Sequence, residues 1–168
     1  MKGLRFALLW VLVIMLTKTS ISSPKNEIAT VKWPWLNARL KSKSDTTYVI
    51  NFWATWCVPC VAELPDFEKI HRQFLGQKVK VILISLDHAK KIRETVIPFA
   101  AKKKMTAQIV LLNEADANSW IDRIDPDWSG ALPATIILNN ANAFRRFFEK
   151  ELNFETLNQL IQQSFLKK

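Results

Sequence analysis

Cys57 and Cys60 are the only cysteines in this chain of 168 residues, and both lie in the stretch NFWATWCVPC (residues 51–60). Two thiols are too few for a structural zinc site, which takes four ligands. His71 and His88, the only histidines, do not complete one. His71 falls about three turns beyond Cys60 on the same expected helix, and both histidines read as ordinary surface or boundary residues. Val61 follows Cys60, so the pair is not a c-type haem attachment signal. A disulfide across so short a loop constrains little of the unfolded chain and adds little stability. Its value is therefore chemical. A two-thiolate Cu(I) clamp stays open as a binding-module alternative.

The elements expected around the pair suggest how that chemistry would run. TYVINFWA (47–54) is a nearly continuous β-forming run, as a strand buried on both faces requires. From Val58 to Leu75 the apolar residues Leu64, Phe67, Ile70 and Phe74 follow a helical period, with Pro65 inside, where it should kink the helix, and Gly76 as a stop. Cys57 thus sits after a strand and at a helix N-terminus, where free N–H groups and the helix dipole favour a thiolate. Cys60, one turn further in, is placed to attack a mixed disulfide formed at Cys57. This order makes Cys57 the nucleophile and Cys60 the resolving cysteine.

VKVILISLD (79–87) reads as a second buried strand, parallel to the first through a βαβ unit. An amphipathic helix with Pro98 as its candidate bend is expected around 91–103, a strand at 108–112 and a short helix at 116–124. ATIIL and AFRRFFE flank the turn-rich NNAN (139–142) as an antiparallel hairpin, and a last helix starts at the cap Asn153. A short strand at 28–31 and the helix WPWLNARL (33–40) precede them. The fold class is α/β with a mixed sheet.

These residues resemble the thioredoxin superfamily, and within it the exported TlpA/ResA-like thiol–disulfide oxidoreductases. The resemblance rests on VINFWATWCVPC running into a Pro65-containing helix, on Glu63 completing C-x-x-C-x-x-E, and on WSGALPATIIL (128–138). It covers roughly residue 28 to the C-terminus. It implies a central mixed sheet flanked by helices, with an extra α/β insertion (about 90–112) between the βαβ half and the C-terminal hairpin half. It further implies that Pro133 is a cis-proline packed against the disulfide, and that Leu132 and Trp56 help bind substrate. A plain strand-start proline is the other reading of Pro133. Glu63 shares a helix face with Cys60, so its carboxylate would tune the Cys60 thiol and exchange its proton. The alternative is a solvated surface carboxylate. Trp53 is either part of the site or core.

Two departures qualify the resemblance. Thioredoxins carry a buried Asp six residues before the first cysteine, where this chain has Asn51, and the partner Lys is missing from VILIS (81–85). Proton handling therefore moves toward Glu63. The β-hairpin that many TlpA-like proteins place before the active-site strand is not recognisable.

The function implied is reduction of protein disulfides, with no cofactor. Substrates would be disulfide-containing proteins, apocytochrome c among the candidates, and a membrane electron donor would restore the dithiol. A disulfide-donating oxidase would use the same residues. A thiol peroxidase shares the fold, but Ala54 stands where peroxiredoxins place Thr or Ser. Residues 1–22 read as a signal peptide, or else as a membrane anchor: Lys2 and Arg5 precede the apolar run Phe6–Leu16, which falls short of a full span. Residues 28–168 would then form one thioredoxin-like domain in the periplasm or cell envelope. Loss of the leader lowers the formal charge of +9 by three, and the rest of the excess is dispersed. No basic stripe with interleaved aromatics argues for nucleic-acid binding.

Overall fold

The computed structural model describes residues 28–166. The expected leader lies outside the described residues. The elements are β1 (Ala29–Val31), α1 (Trp33–Leu40), β2 (Thr47–Trp53), α2 (Val58–Gln73), β3 (Val79–Ser85), α3 (Val96–Lys102), β4 (Gln108–Leu112), α4 (Ile121–Ile124), β5 (Ala134–Asn139), β6 (Phe144–Phe148) and α5 (Phe154–Ser164). They build one six-stranded sheet in the order β1-β4-β3-β2-β5-β6. Strands β1 to β4 pair in parallel, while β5 runs antiparallel to β2, and β6 to β5. The mixed sheet is the one expected. So is the insertion, since α3 and β4 lie between β3 and β5 in the chain.

Strand alternation sorts the core into two layers. On β2, Val49 and Trp53 face a cluster with Leu64, Phe67 and Ile70 of α2 and Leu157 and Ile161 of α5. Ile50 and Phe52 face the opposite cluster, with Leu36 and Leu40 of α1, Trp120, Ile124 and Trp128. Asn51, between Val49 and Trp53 on the first of these faces, is therefore presented to the α2 layer.

Two helices are shorter than their apolar patterns suggest. The pattern from Lys91 becomes a 3-10 turn at Ala89–Lys91, and α3 begins only at Val96. Pro98 is the cause. It sits in the first turn of α3, where its missing N–H has no intrahelical partner to lose, so it starts the helix and does not bend it. Likewise 116–124 divides into a 3-10 turn capped by Asp116 and the single turn of α4. By contrast α2 runs unbroken through Pro65.

Helix α2 must be fixed, because its N-terminus carries the cysteines. Buried Glu68 does much of this. Its carboxylate accepts the Thr106 N–H at 3.0 Å, the Thr106 hydroxyl at 2.7 Å and the Ala107 N–H at 3.0 Å, and Arg72 lies 3.5 Å away. Glu68→Ala would leave two backbone donors and a hydroxyl unpaired in or near the core. The expected loss is on the order of 3 kcal/mol, read as a lowered denaturant midpoint. A Glu68→Gln protein, which keeps one acceptor oxygen, should lose less.

Candidate active site

Strand β2 ends at Trp53, and four residues later Cys57 caps α2. The turn between them is stapled to the end of β3. The Leu86 N–H donates to the Trp53 carbonyl at 2.8 Å. Buried Asp87 accepts the Thr55 N–H at 3.0 Å, the Thr55 hydroxyl at 2.5 Å and the Ser85 hydroxyl at 2.8 Å. Three hydrogen bonds to one carboxylate satisfy a charge that would otherwise be costly to bury. They also fix where Trp56 and Cys57 emerge.

Cys57 and Cys60 form a disulfide. The Cys60 N–H points at Cys57 Sγ, 3.3 Å away, so one of the free donors in the first turn of α2 is aimed at that sulfur. Cys57 keeps 6% of its surface exposed, whereas Cys60 has none. An incoming sulfur can therefore reach Cys57 first. Cys57 borders an open groove of about 490 Å³ lined also by Trp56, Pro59, Leu86, Gly130, Ala131 and Leu132. Trp56 is 68% exposed and forms one wall.

The opposite wall is the loop before β5. Its Leu132–Pro133 peptide bond is cis, and Gly130 adopts a positive φ of 93° that only glycine takes without strain. The loop is pinned from both sides. Trp128 Nε1 donates to the Ala131 carbonyl at 2.9 Å, and Glu149 accepts the Ala131 N–H at 2.8 Å and the Ser129 hydroxyl. That hydroxyl holds the Glu149 carboxyl below the usual carboxylate range.

Glu63 takes a different position. It is buried, not solvated, and does not line the groove beside Cys57. Its Oε1 accepts from Asn51 Nδ2 at 2.7 Å, and its Oε2 accepts the Leu152 N–H at 2.8 Å. It borders a separate cavity of about 400 Å³, lined also by Asp66, Lys150, Glu151 and Thr156. Burial pushes its pKa up to about 7; the Leu152 and Asn51 donors restrain the rise, and Glu151 and Asp66 add repulsion.

Of the residues expected at the site, Cys57, Trp56 and Leu132 line the groove. Cys60 is buried and bonded to Cys57, Pro133 is buried at the end of the cis bond, and Glu63 borders the other cavity. Trp53 belongs to the core, against Phe99 at 5.4 Å. Sequence reasoning missed Thr55, Asp87 and Leu152. It read Asn51 only as an absence, although Asn51 is the side chain that touches Glu63. Among the described residues, no three His, Cys, Asp or Glu side chains form a metal-holding group, and no helix is long and apolar enough to cross a membrane.

The AhpC/TSA family profile matches residues 27–146, well over half of the chain. The chain belongs to the AhpC/TSA family. Among curated proteins this AhpC/TSA member is 32% identical over 63 residues to the sporulation thiol-disulfide oxidoreductase A of Bacillus subtilis, covering 38% of each chain. It is 30% identical over 90 residues to the thiol-disulfide oxidoreductase ResA of Halalkalibacterium halodurans, covering 54% of this chain and 46% of that one. It thus spans less than half the length of these relatives. A thioredoxin-related protein from Neisseria meningitidis superposes with a TM-score of 0.63 at 23% identity, over 74% of this chain and 89% of that one. The AhpC/TSA member therefore has a thioredoxin-like fold, as the motifs implied.

Proposed function

We propose that this protein is an exported thiol–disulfide oxidoreductase that reduces disulfides in other proteins. The observation that carries the reading is the Cys57–Cys60 disulfide at the α2 N-terminus, with Cys57 alone edging into a groove beside the cis Leu132–Pro133 bond. Its named relatives of oxidoreductase type support the same chemistry. Residues 1–22 serve as the signal or anchor, and 28–168 form the catalytic domain.

In the reduced protein the α2 dipole and the Cys60 N–H stabilise a Cys57 thiolate. That thiolate attacks one sulfur of the substrate disulfide. A Cys57–substrate bond forms, the substrate S–S bond breaks, and one substrate thiolate leaves and takes a proton. Cys60 then gives its proton to the Glu63 carboxylate and attacks Cys57 Sγ. The mixed disulfide breaks, the second substrate thiolate departs, and two electrons have passed to substrate. Leu132 and Trp56 hold the substrate chain against the disulfide. A membrane-bound electron donor returns the pair to the dithiol.

The direction is tested by the reduction potential of the pair in graded thiol–disulfide buffers, followed by tryptophan fluorescence. A value of about −270 mV or lower is expected for an electron donor to substrate. A value near about −120 mV would instead make the protein a disulfide-donating oxidase. Absence of any redox transition, with retention of copper by the reduced protein, would replace both with the Cu(I) carrier.

A further inference from the structure

The Glu63 carboxyl is held from a strand, not only by its own helix. Asn51 on β2 directs both hydrogens of its amide nitrogen at acceptors: Glu63 Oε1 at 2.7 Å and Thr135 Oγ1 at 3.0 Å. Its own carbonyl oxygen is buried and has no partner. Thr135 lies directly opposite Asn51 across the β2–β5 pair, two residues after Pro133. All three side chains are buried. An unpaired buried carbonyl is destabilising, so its presence in this network needs a reason.

The reason follows from the chemistry of an amide. A half-turn of the Asn51 side-chain amide exchanges its oxygen and nitrogen. The oxygen then faces Glu63 and Thr135 and accepts from a protonated carboxyl and from the threonine hydroxyl. One orientation offers two donors and suits the Glu63 carboxylate. The other offers an acceptor and suits the carboxylic acid. In both, the Leu152 N–H keeps hold of Oε2. Only one end of the amide is matched at a time, which accounts for the orphaned carbonyl.

We propose that Asn51 is a positioning residue for Glu63, inverting its amide as Glu63 gains or loses its proton so that the carboxyl stays in place. The catalytic consequence rests on Glu63 exchanging a proton with Cys60. An aspartate at position 51 could not do this, because two carboxylates so close repel unless they share a proton. The other charged groups around Glu63 are Asp66 on α2, and Lys150 and Glu151 in the segment between β6 and α5. None of them changes in the test below.

The test uses the full oxidised chain with carbon-13 at the glutamate carboxyls, the Glu63 signal being assigned by its loss in Glu63→Gln. In Asn51→Leu, Glu63 should ionise at higher pH than in the parent protein, because one of its two donors is gone. In Asn51→Asp, which keeps the side-chain shape should the leucine variant fail to fold, the two carboxyls should titrate in two coupled steps, the second well above the parent midpoint. In the parent protein the Asn51 side-chain amide signals should shift with the Glu63 midpoint. The pH profile of substrate reduction should move with Glu63 in both variants, with a loss on the order of tenfold near neutral pH. A Glu63 midpoint unchanged in both variants, or Asn51 amide signals that ignore the Glu63 titration, would overturn the proposal. Unaltered turnover in Glu63→Gln would instead remove the proton-exchange role of Glu63, whichever way the Asn51 titrations fall.

Discussion

Replacing Cys60 by serine is expected to stop the reaction at its midpoint. Cys57 would still attack a substrate disulfide, since the α2 N-terminus and its exposed edge on the groove are intact. With no second sulfur to attack Cys57 Sγ, the substrate would remain joined to the protein. Cys57→Ser would fail one step earlier, because a serine hydroxyl is not ionised at neutral pH and is a poor nucleophile toward sulfur. Turnover should fall on the order of 10³-fold or more in both. The difference between them lies in the trapped species. A covalent, thiol-releasable complex with a disulfide-bearing protein should accumulate in Cys60→Ser and not in Cys57→Ser. Mass spectrometry after non-reducing electrophoresis reads this directly. Equal trapping at both positions would mean that either sulfur can be reached first, against the complete burial of Cys60.

The asymmetry of the two cysteines was legible in the sequence because it depends on local pattern. The run TYVINFWA has no polar alternation beyond Asn51, so it had to be a central strand, and the next apolar residues switch to a helical period. That switch alone places Cys57 at the end of a strand and the start of a helix. The cis-proline loop was legible only through the resemblance, since WSGALPATIIL equally suits a proline at the start of a strand. What the sequence concealed was polar and distant. Glu63 binds Asn51, twelve residues away, and the Leu152 N–H, 89 residues away. Asp87 reaches back 32 residues to Thr55. No periodicity encodes such pairs, because they arise when two separately patterned elements pack. The position of β1 beside β4 was hidden for the same reason: three residues carry too little pattern to name a neighbour.

Glu63→Gln should make the protein more stable and less active, with both effects tied to the same pH range. Burial raises the Glu63 carboxyl to about 7 in the folded chain, against the ordinary glutamate value of 4.5 that holds in the unfolded one. The folded protein therefore binds this proton more tightly than the unfolded chain does. The advantage is fully present below about pH 4.5 and is lost as pH rises through about 7. At pH 8 the buried carboxylate costs the parent protein about 3 kcal/mol. Glutamine removes this cost, and its amide can accept the Leu152 N–H while donating to the Asn51 carbonyl once the Asn51 amide has turned over. Urea midpoints of the oxidised proteins should thus diverge at pH 8 in favour of the variant and converge toward pH 5. Reduction of substrate should follow the opposite order. Above pH 7 the parent Glu63 is a carboxylate able to take the Cys60 proton, and the variant should be on the order of 100-fold slower. Below pH 6 Glu63 is protonated and the two rates should approach each other. A variant equally active at pH 8 would leave Glu63 without a role in proton transfer. A stability difference independent of pH would mean that the carboxyl does not carry the raised pKa its burial gives it. A gain in stability bought with lost turnover, both appearing across neutral pH, is the signature of a charge kept buried because the resolving cysteine needs a base.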